Sequence, residues 1–469
     1  MKINYWELRK IVKNIIPRMS SFEPVETKKE GLIREKGRKA NYHQFNLETG
    51  VFEKNERLLN LEEMNSFLEV SLRSQACPMS LNMDVWDGLY CPHACKYCYA
   101  DAFRASLYTS FFDNSKSMGL RFCNPDYYKT ELDKIFKFRG SRAGNLNDIQ
   151  KAVSLEMPIR FGIRFEDFLA VEGEKKIALE MLKFLRLHGY PVMINTKGDL
   201  IGREDYVKEL AENKGKAAVH ITMISSDEEL LKKIEPGAPP FSRRLQAAIA
   251  LTSSGVKVVA RIEPFMVFIN DSKDYVDDYL SRIKAAGITS ITFDTYSYSA
   301  YNPGIRANFQ RLGYDFDRMF MVMSDAQWLG SILLGKFMEY CRTFGFTCST
   351  FDLGNVPSND DDICCEVGSY FGKGFCLGNV MSAIRFVAKY SQGNPLGWAD
   401  FEQHVTDHGG FLSETLKDEV KHLWNLQGNN SYSMDWGAGL EPMGVDREGL
   451  RWIFDPSKDF RQEMLEAIL

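Results

Sequence analysis

Residues 242–261 read SRRLQAAIALTSSGVKVVAR, and this stretch decides the fold class. Its apolar residues recur at helical spacing up to Gly255, the residue type that best tolerates a left-handed helix end, and a β-branched run begins at once. Two more stretches repeat the pattern: EKKIALEMLKFLRLHGYPVMIN at 174–195, turning at Gly189, and YVDDYLSRIKAAGITSITF at 275–293, turning at Gly287. Six runs of strand length supply the partners: SLNMDVW from Ser80, PIRFGIR, PVMINTK, AAVHITMIS, VKVVARIEP and ITSITFDTY. Strands joined by helices run parallel with right-handed crossovers. The expectation is therefore an α/β chain built as a partial or full parallel (β/α) barrel, with an open doubly wound sheet as the alternative architecture.

The rest of the 469 residues divides around this core. Residues 1–76 are a charged N-terminal extension, 77–305 the barrel core, and 306–394 a late barrel segment with a candidate strand in GFTCSTFDL and a cysteine-containing loop. Residues 395–469, rich in Trp, Asp and Glu, read as a C-terminal helical extension. A net charge of -5 argues against a surface built to bind phosphate backbone indiscriminately. The N-terminus, MKINYWELRKIVKNIIP, is amphipathic and broken by Lys and Arg, and no run reaches membrane-spanning length, which predicts a soluble, cytoplasmic chain with no membrane partner. Ten cysteines at clustered, irregular spacing suit metal ligands or spare thiols rather than a secreted disulfide framework.

The densest cysteine cluster is DGLYCPHACKYCYAD, residues 87–101, with Cys91, Cys95 and Cys98 inside eight residues. Zinc sites complete a tetrahedron with a further Cys or His, for which His93 is the only nearby candidate. Three thiolates from one tight loop instead suit three irons of a [4Fe-4S] cubane, leaving the fourth iron open to a ligand that is not protein. The loop follows the first predicted strand, at the end of a barrel where chemistry resides.

Spacing, Tyr97 before the third cysteine, and this position together resemble the radical S-adenosylmethionine (SAM) superfamily. The resemblance covers about residues 78 to 300 and points to its spore photoproduct lyase-like branch. It is carried by CKYCYA, by INTKGDLIGRED at 194–205, and by IEPGAPPFSRRLQAAIALTSSGVKVVARIEPFMVFIND at 234–271. The resemblance implies a barrel of radical SAM type, a [4Fe-4S] cluster on Cys91, Cys95 and Cys98, and SAM as cofactor. It further implies reductive cleavage of SAM to a 5'-deoxyadenosyl radical that takes a hydrogen atom from the substrate, with an electron donor such as flavodoxin or ferredoxin. Tyr97 would line the adenosine site, Lys197 would meet the SAM carboxylate, and Thr222 and Glu263 would face the ribose or adenine. Glu235 with Arg243 or Arg244 reads as a structural ion pair, and Asp167 and Glu172 equally as family positions or helix-start acids.

One departure lies in RFGIRFEDFLAVEGEKK, 160–176. Photoproduct repair in this branch uses a hydrogen-donating cysteine at the end of this strand; here Arg164 takes the place, and Arg164 or Glu166 would contact SAM or a polar substrate instead. A second group, Cys348, Cys364, Cys365 and Cys376, is open to three readings: an auxiliary iron-sulfur or zinc site, a catalytic thiol (Cys365 or Cys376), or buried free cysteines. Tyr99 is a candidate radical relay or a packing residue. The substrate is a small molecule, a peptide or nucleic acid, and the missing thiol favours the first two. The reading from another class is a non-enzymatic iron-sulfur or zinc-binding module.

Overall fold

The computed structural model describes residues 3–19, 45–46, 51–52, 62–64, 79, 81–88, 91–98, 120–142, 144–163, 165–295, 303–360, 365, 371, 378–413, 417–425 and 439–469. Seven strands form its centre: β1 (Leu81–Met83), β2 (Ile159–Phe161), β3 (Val192–Thr196), β4 (Ala217–Thr222), β5 (Lys257–Phe265), β6 (Ser290–Thr295) and β7 (Thr347–Thr350). They lie side by side in chain order, every neighbouring pair parallel. A doubly wound sheet reverses its strand order at a switch point, so this strict order excludes that alternative. Right-handed crossovers in one direction place the connecting helices on one face. The result is an open part-barrel: among the described residues β7 and β1 do not pair.

The helices behind the sheet include α1 (Tyr5–Met19), α2 (Pro125–Phe136), α3 (Ile177–Leu187), α4 (Glu204–Ala211), α5 (Phe241–Ser253), α6 (Lys273–Ala285) and α7 (Gln327–Thr343). Gly189, Gly255 and Gly287 follow α3, α5 and α6 at φ +58, +76 and +80°, the left-handed helix ends read from the sequence, and Gly345 follows α7 in the same way at +81°. The outward residues of the strands, such as Val219, Ile221, Ala260, Ile262 and Phe293, join the helices in one core. Helix α1 belongs to that core: Tyr5, Leu8, Val12 and Ile16 are buried at helical spacing. Tyr5 donates its hydroxyl to Asp271, and Arg9 holds the same carboxylate through Nε and NH2 at 2.6 and 2.8 Å.

The C-terminal region has a separate small core around Trp398, Trp424 and Trp452. It contains α8 (Val380–Tyr390), α9 (Trp398–Asp407), α10 (Lys417–Asn425) and α11 (Phe460–Ile468). It also contains an antiparallel hairpin, β8 (Leu440–Asp446) with β9 (Gly449–Phe454), where a purely helical extension was expected. Strand β8 is largely exposed and contains Pro442 and Gly444, so its sequence lacks strand alternation; its pairing with β9 supplies what the pattern does not. No helix among the described residues is long and apolar enough to cross a membrane.

Candidate functional site

The cysteine loop stands at the C-terminal end of the sheet, separated from β1 by a short strand, Trp86–Gly88, that pairs antiparallel with Leu120–Cys123. Asp167 fixes this junction. Fully buried, it accepts from the N–H groups of Val85 and Trp86 at 2.8 and 2.9 Å and from Gly162 at 2.9 Å, tying the exit of β1 to that of β2. Glu172 supports it from below, accepting from Trp86 Nε1 and Tyr206 Oη, both at 2.8 Å. Both acids are thus satisfied inside the fold.

Within the loop Cys91, Cys95 and Cys98 are half-buried, while His93 and Tyr97 are buried. Turn bonds from Ala94 N to Cys91 O (3.1 Å) and from Cys98 N to Cys95 O (3.2 Å) fold the loop on itself. It is then stitched to the segment after β4: Lys96 N donates to Ile234 O at 2.7 Å, and Gly237 N to His93 O at 3.1 Å. A Cβ on Gly237 would sit 2.0 Å from Pro92 O, so only glycine permits this approach. Gly237→Ala is therefore expected to destabilise the chain by about 1–3 kcal/mol, read as a lower urea midpoint. An unchanged midpoint would show that the two segments need not touch.

The side chains repeat the stitch. Tyr97 donates its hydroxyl to Glu235, whose other oxygen pairs with Arg244; Glu235 and Arg244 are both buried, with no side-chain exposure. Arg244 also donates to Pro239 O at 2.7 Å and to Thr222 O at 2.8 Å, so one guanidinium connects the end of β4, the following loop and the cysteine loop. The ion pair expected with Arg243 or Arg244 is thus formed by Arg244; Arg243 pairs with Asp199. Burial, then the charges of Arg244 and Lys197, hold His93 well below the ordinary histidine range. The Cys95 thiol is pushed well up by burial; Lys197 opposes this, while Glu235, Cys98 and Cys91 add to it. The three thiols are thus close enough to oppose one another's ionisation. Among the described residues no three His, Cys, Asp or Glu side chains form a group that could hold a single metal ion.

Lys197, at the exit of β3, is half-buried; its ammonium lies 5.5 Å from the Tyr97 ring centroid and makes no ion pair among the described residues. Its backbone is set by Glu166, which accepts from Lys197 N (2.8 Å), Thr196 Oγ1 (2.6 Å) and Phe168 N (3.0 Å). Glu166 is raised by burial against the pull of these bonds. Its oxygens are engaged within the fold, on the Thr196 hydroxyl and the backbone of Lys197 and Phe168. Thr222 ends β4, buried; Glu263, on β5, pairs with Arg261. Arg164, Tyr99, Cys364 and Cys376 lie outside the described residues.

Parallel register shows which residues share the face away from the helices. Arg160 stands beside Met193, Asn195 beside His220, and Thr222 beside Arg261, which neighbours Thr292. Asp294 continues this row, and burial, then the charge of Asp352, push its carboxyl up to about 7 while Arg261 pulls the other way. The inner face of the sheet is therefore polar and largely buried. Sequence reading passed over Arg160, Asn195, His220 and Asp294. The signal was present in VHIT, ARIE and TFD, where every second residue is polar in strands whose alternate residues are apolar.

The same register separates the late cysteines. Cys348 pairs with Ile291 on the helix side of β7, its Sγ 3.7 Å from Met338 O. Cys365 is half-buried near Met79 and Met193, and its backbone is hydrogen-bonded to the His220 ring on the inner side. The sheet lies between these two thiols, so the structure does not bring them together.

No protein-family model matches the chain. Curated relatives include uncharacterized proteins of Mycobacterium bovis and Mycobacterium tuberculosis, each 24% identical over 202 residues, 43% of this chain and 55% of theirs. The chain thus spans about half the length of the curated relatives it matches. Among solved structures it is similar to spore photoproduct lyase complexed with dinucleoside spore photoproduct, at 14% identity and a TM-score of 0.42 over 61% of this chain and 78% of that one. It is also similar to Streptococcus suis SuiB bound to precursor peptide SuiA, at 13% identity and a TM-score of 0.34 over 59% and 49%.

Proposed function

We propose that the chain is a radical SAM enzyme that abstracts a hydrogen atom from a polar substrate held against the inner face of the sheet. The observation that carries this reading is the meeting of three half-buried thiols of one loop with Lys197 at the C-terminal end of a part-barrel. The donor set fits a [4Fe-4S] cluster: Cys91, Cys95 and Cys98 offer three soft ligands whose mutual repulsion a bound cluster would offset. A cluster held by Cys91, Cys95 and Cys98 would supply one-electron reductive cleavage of the SAM sulfonium, the chemistry this reading requires.

The chain's own residues then have distinct duties. Lys197 offers an ammonium to the SAM carboxylate, held in place by Glu166 through its backbone and through Thr196. Tyr97, anchored to Glu235, presents its ring beneath that ammonium and closes one wall of the adenosine site. Thr222 and Glu263 stand at the next strand exits, toward the ribose or adenine. Lys197→Ala is expected to weaken SAM binding by about 10- to 100-fold, the worth of one charged hydrogen bond, at unchanged iron content. Equal affinity in a calorimetric titration would remove Lys197 from the site.

The reading as a whole is tested by anaerobic reconstitution with iron and sulfide, reduction in the presence of SAM, and chromatography for 5'-deoxyadenosine. Its formation supports the radical chemistry. Stimulation by small polar molecules or peptides, rather than by DNA, supports the reading of a substrate other than nucleic acid. Full cluster occupancy with SAM bound and never cleaved would instead make the chain an iron-sulfur binding module.

A further inference from the structure

Among the buried polar atoms of the inner face, two acceptors on neighbouring strands have no hydrogen-bond partner among the described residues: Asn195 Oδ1 on β3 and His220 Nε2 on β4, at paired positions of the parallel register. Their residues are 7% and 1% exposed. Buried polar atoms left without partners are costly and rare, and they mark places where a ligand or a water completes the fold. The His220 ring already bonds the backbone of Cys365, so the lone unpartnered ring nitrogen is Nε2. Burial first, then the charges of Arg261 and Arg160, keep this imidazole neutral, so with its other nitrogen bonded to the backbone, Nε2 offers a lone pair. Arg160, whose Nε donates to Asn82 Oδ1 at 2.7 Å, stands on β2, and Arg261 on β5. The patch thus combines two acceptors with two guanidinium groups, each of which also has partners within the fold, Asn82 for Arg160 and Glu263 for Arg261.

We infer that Asn195 and His220, flanked by Arg160 and Arg261, form a subsite for an anionic substrate group that also presents a hydroxyl or N–H donor. The guanidinium groups recognise the anion, and Nε2 and Oδ1 take the donor; an anion without a donor leaves both acceptors empty. This deepens the enzymatic reading by naming the polar end of its substrate, and it rests on that reading for the word substrate.

Phosphate and sulfate separate the two requirements. At mildly acidic pH phosphate is largely a monoanion with hydroxyl donors, whereas sulfate has acceptors only. In the full chain with labelled histidine, phosphate is expected to move the His220 Nε2 resonance saturably, and sulfate at equal ionic strength to leave it nearly still. Asn195→Leu should weaken the phosphate response about tenfold, the loss of one buried hydrogen bond. No saturable shift with phosphate, or equal shifts with both anions, overturns the subsite, and the wild-type comparison stands even where the variant fails to fold. SAM binding by the wild-type reconstituted chain is measured separately: its absence defeats the cofactor reading while the phosphate response still decides the subsite.

Discussion

Cys95→Ala is expected to abolish cluster incorporation, reducing iron after anaerobic reconstitution from about four per chain to background. The middle cysteine is the demanding position. Burial pushes its thiol up, opposed by Lys197 and reinforced by Glu235 and then by both flanking thiols, so without a cluster it resists ionisation, and with one it supplies a third of the protein's ligand set. A water in its place would leave an iron exposed to exchange. Iron and sulfide analysis with the visible absorption of the cluster makes the measurement, and full occupancy in the variant would sink the cluster assignment. Circular dichroism separates loss of ligand from loss of fold, because Cys95 contributes only a partly buried surface to the core.

Arg244→Ala should be the most destabilising single change near the site. It leaves the Glu235 carboxylate buried without the guanidinium that neutralises it, and frees the Thr222 and Pro239 carbonyls that Arg244 now serves. Breaking such a pair costs about 3–5 kcal/mol, against about 5–15 kcal/mol for a whole domain. Urea unfolding reads the loss directly. A paired change, Arg244→Met with Glu235→Leu, removes both charges and should regain most of that stability. It should not restore the site, because Tyr97 loses the acceptor that ties the cysteine loop to the segment after β4. Recovered stability together with recovered iron loading would show the network to be structural only; recovered stability with poor loading assigns it to positioning the loop.

The parallel core was legible because each helix, glycine and strand is encoded by neighbours in the chain. Periodicity of 3.6 gives way to a β-branched run across a residue that alone accepts a left-handed end cheaply, and Gly189, Gly255 and Gly287 carry this out. The cysteine loop was legible for the same reason, its three thiols being local. The Tyr97–Glu235 contact joins residues 138 positions apart, and the Tyr5–Asp271 contact spans 266. No spacing rule reaches that far, and buried charges pair with whatever the fold brings near.

The late cysteines show the division most clearly. Sequence proximity grouped Cys348 with Cys365, yet an odd-or-even position on β7 sends Cys348 toward α7, while the chain carries Cys365 around to His220. By itself the sequence determined the repeating βα units, their parallel direction and the three-thiol loop, since each follows from local periodicity and local chemistry. Only the tertiary structure decided that the strands run in unbroken order, which face became the polar interior, and which distant charges hold the loop, because sheet register and burial are properties of the whole chain.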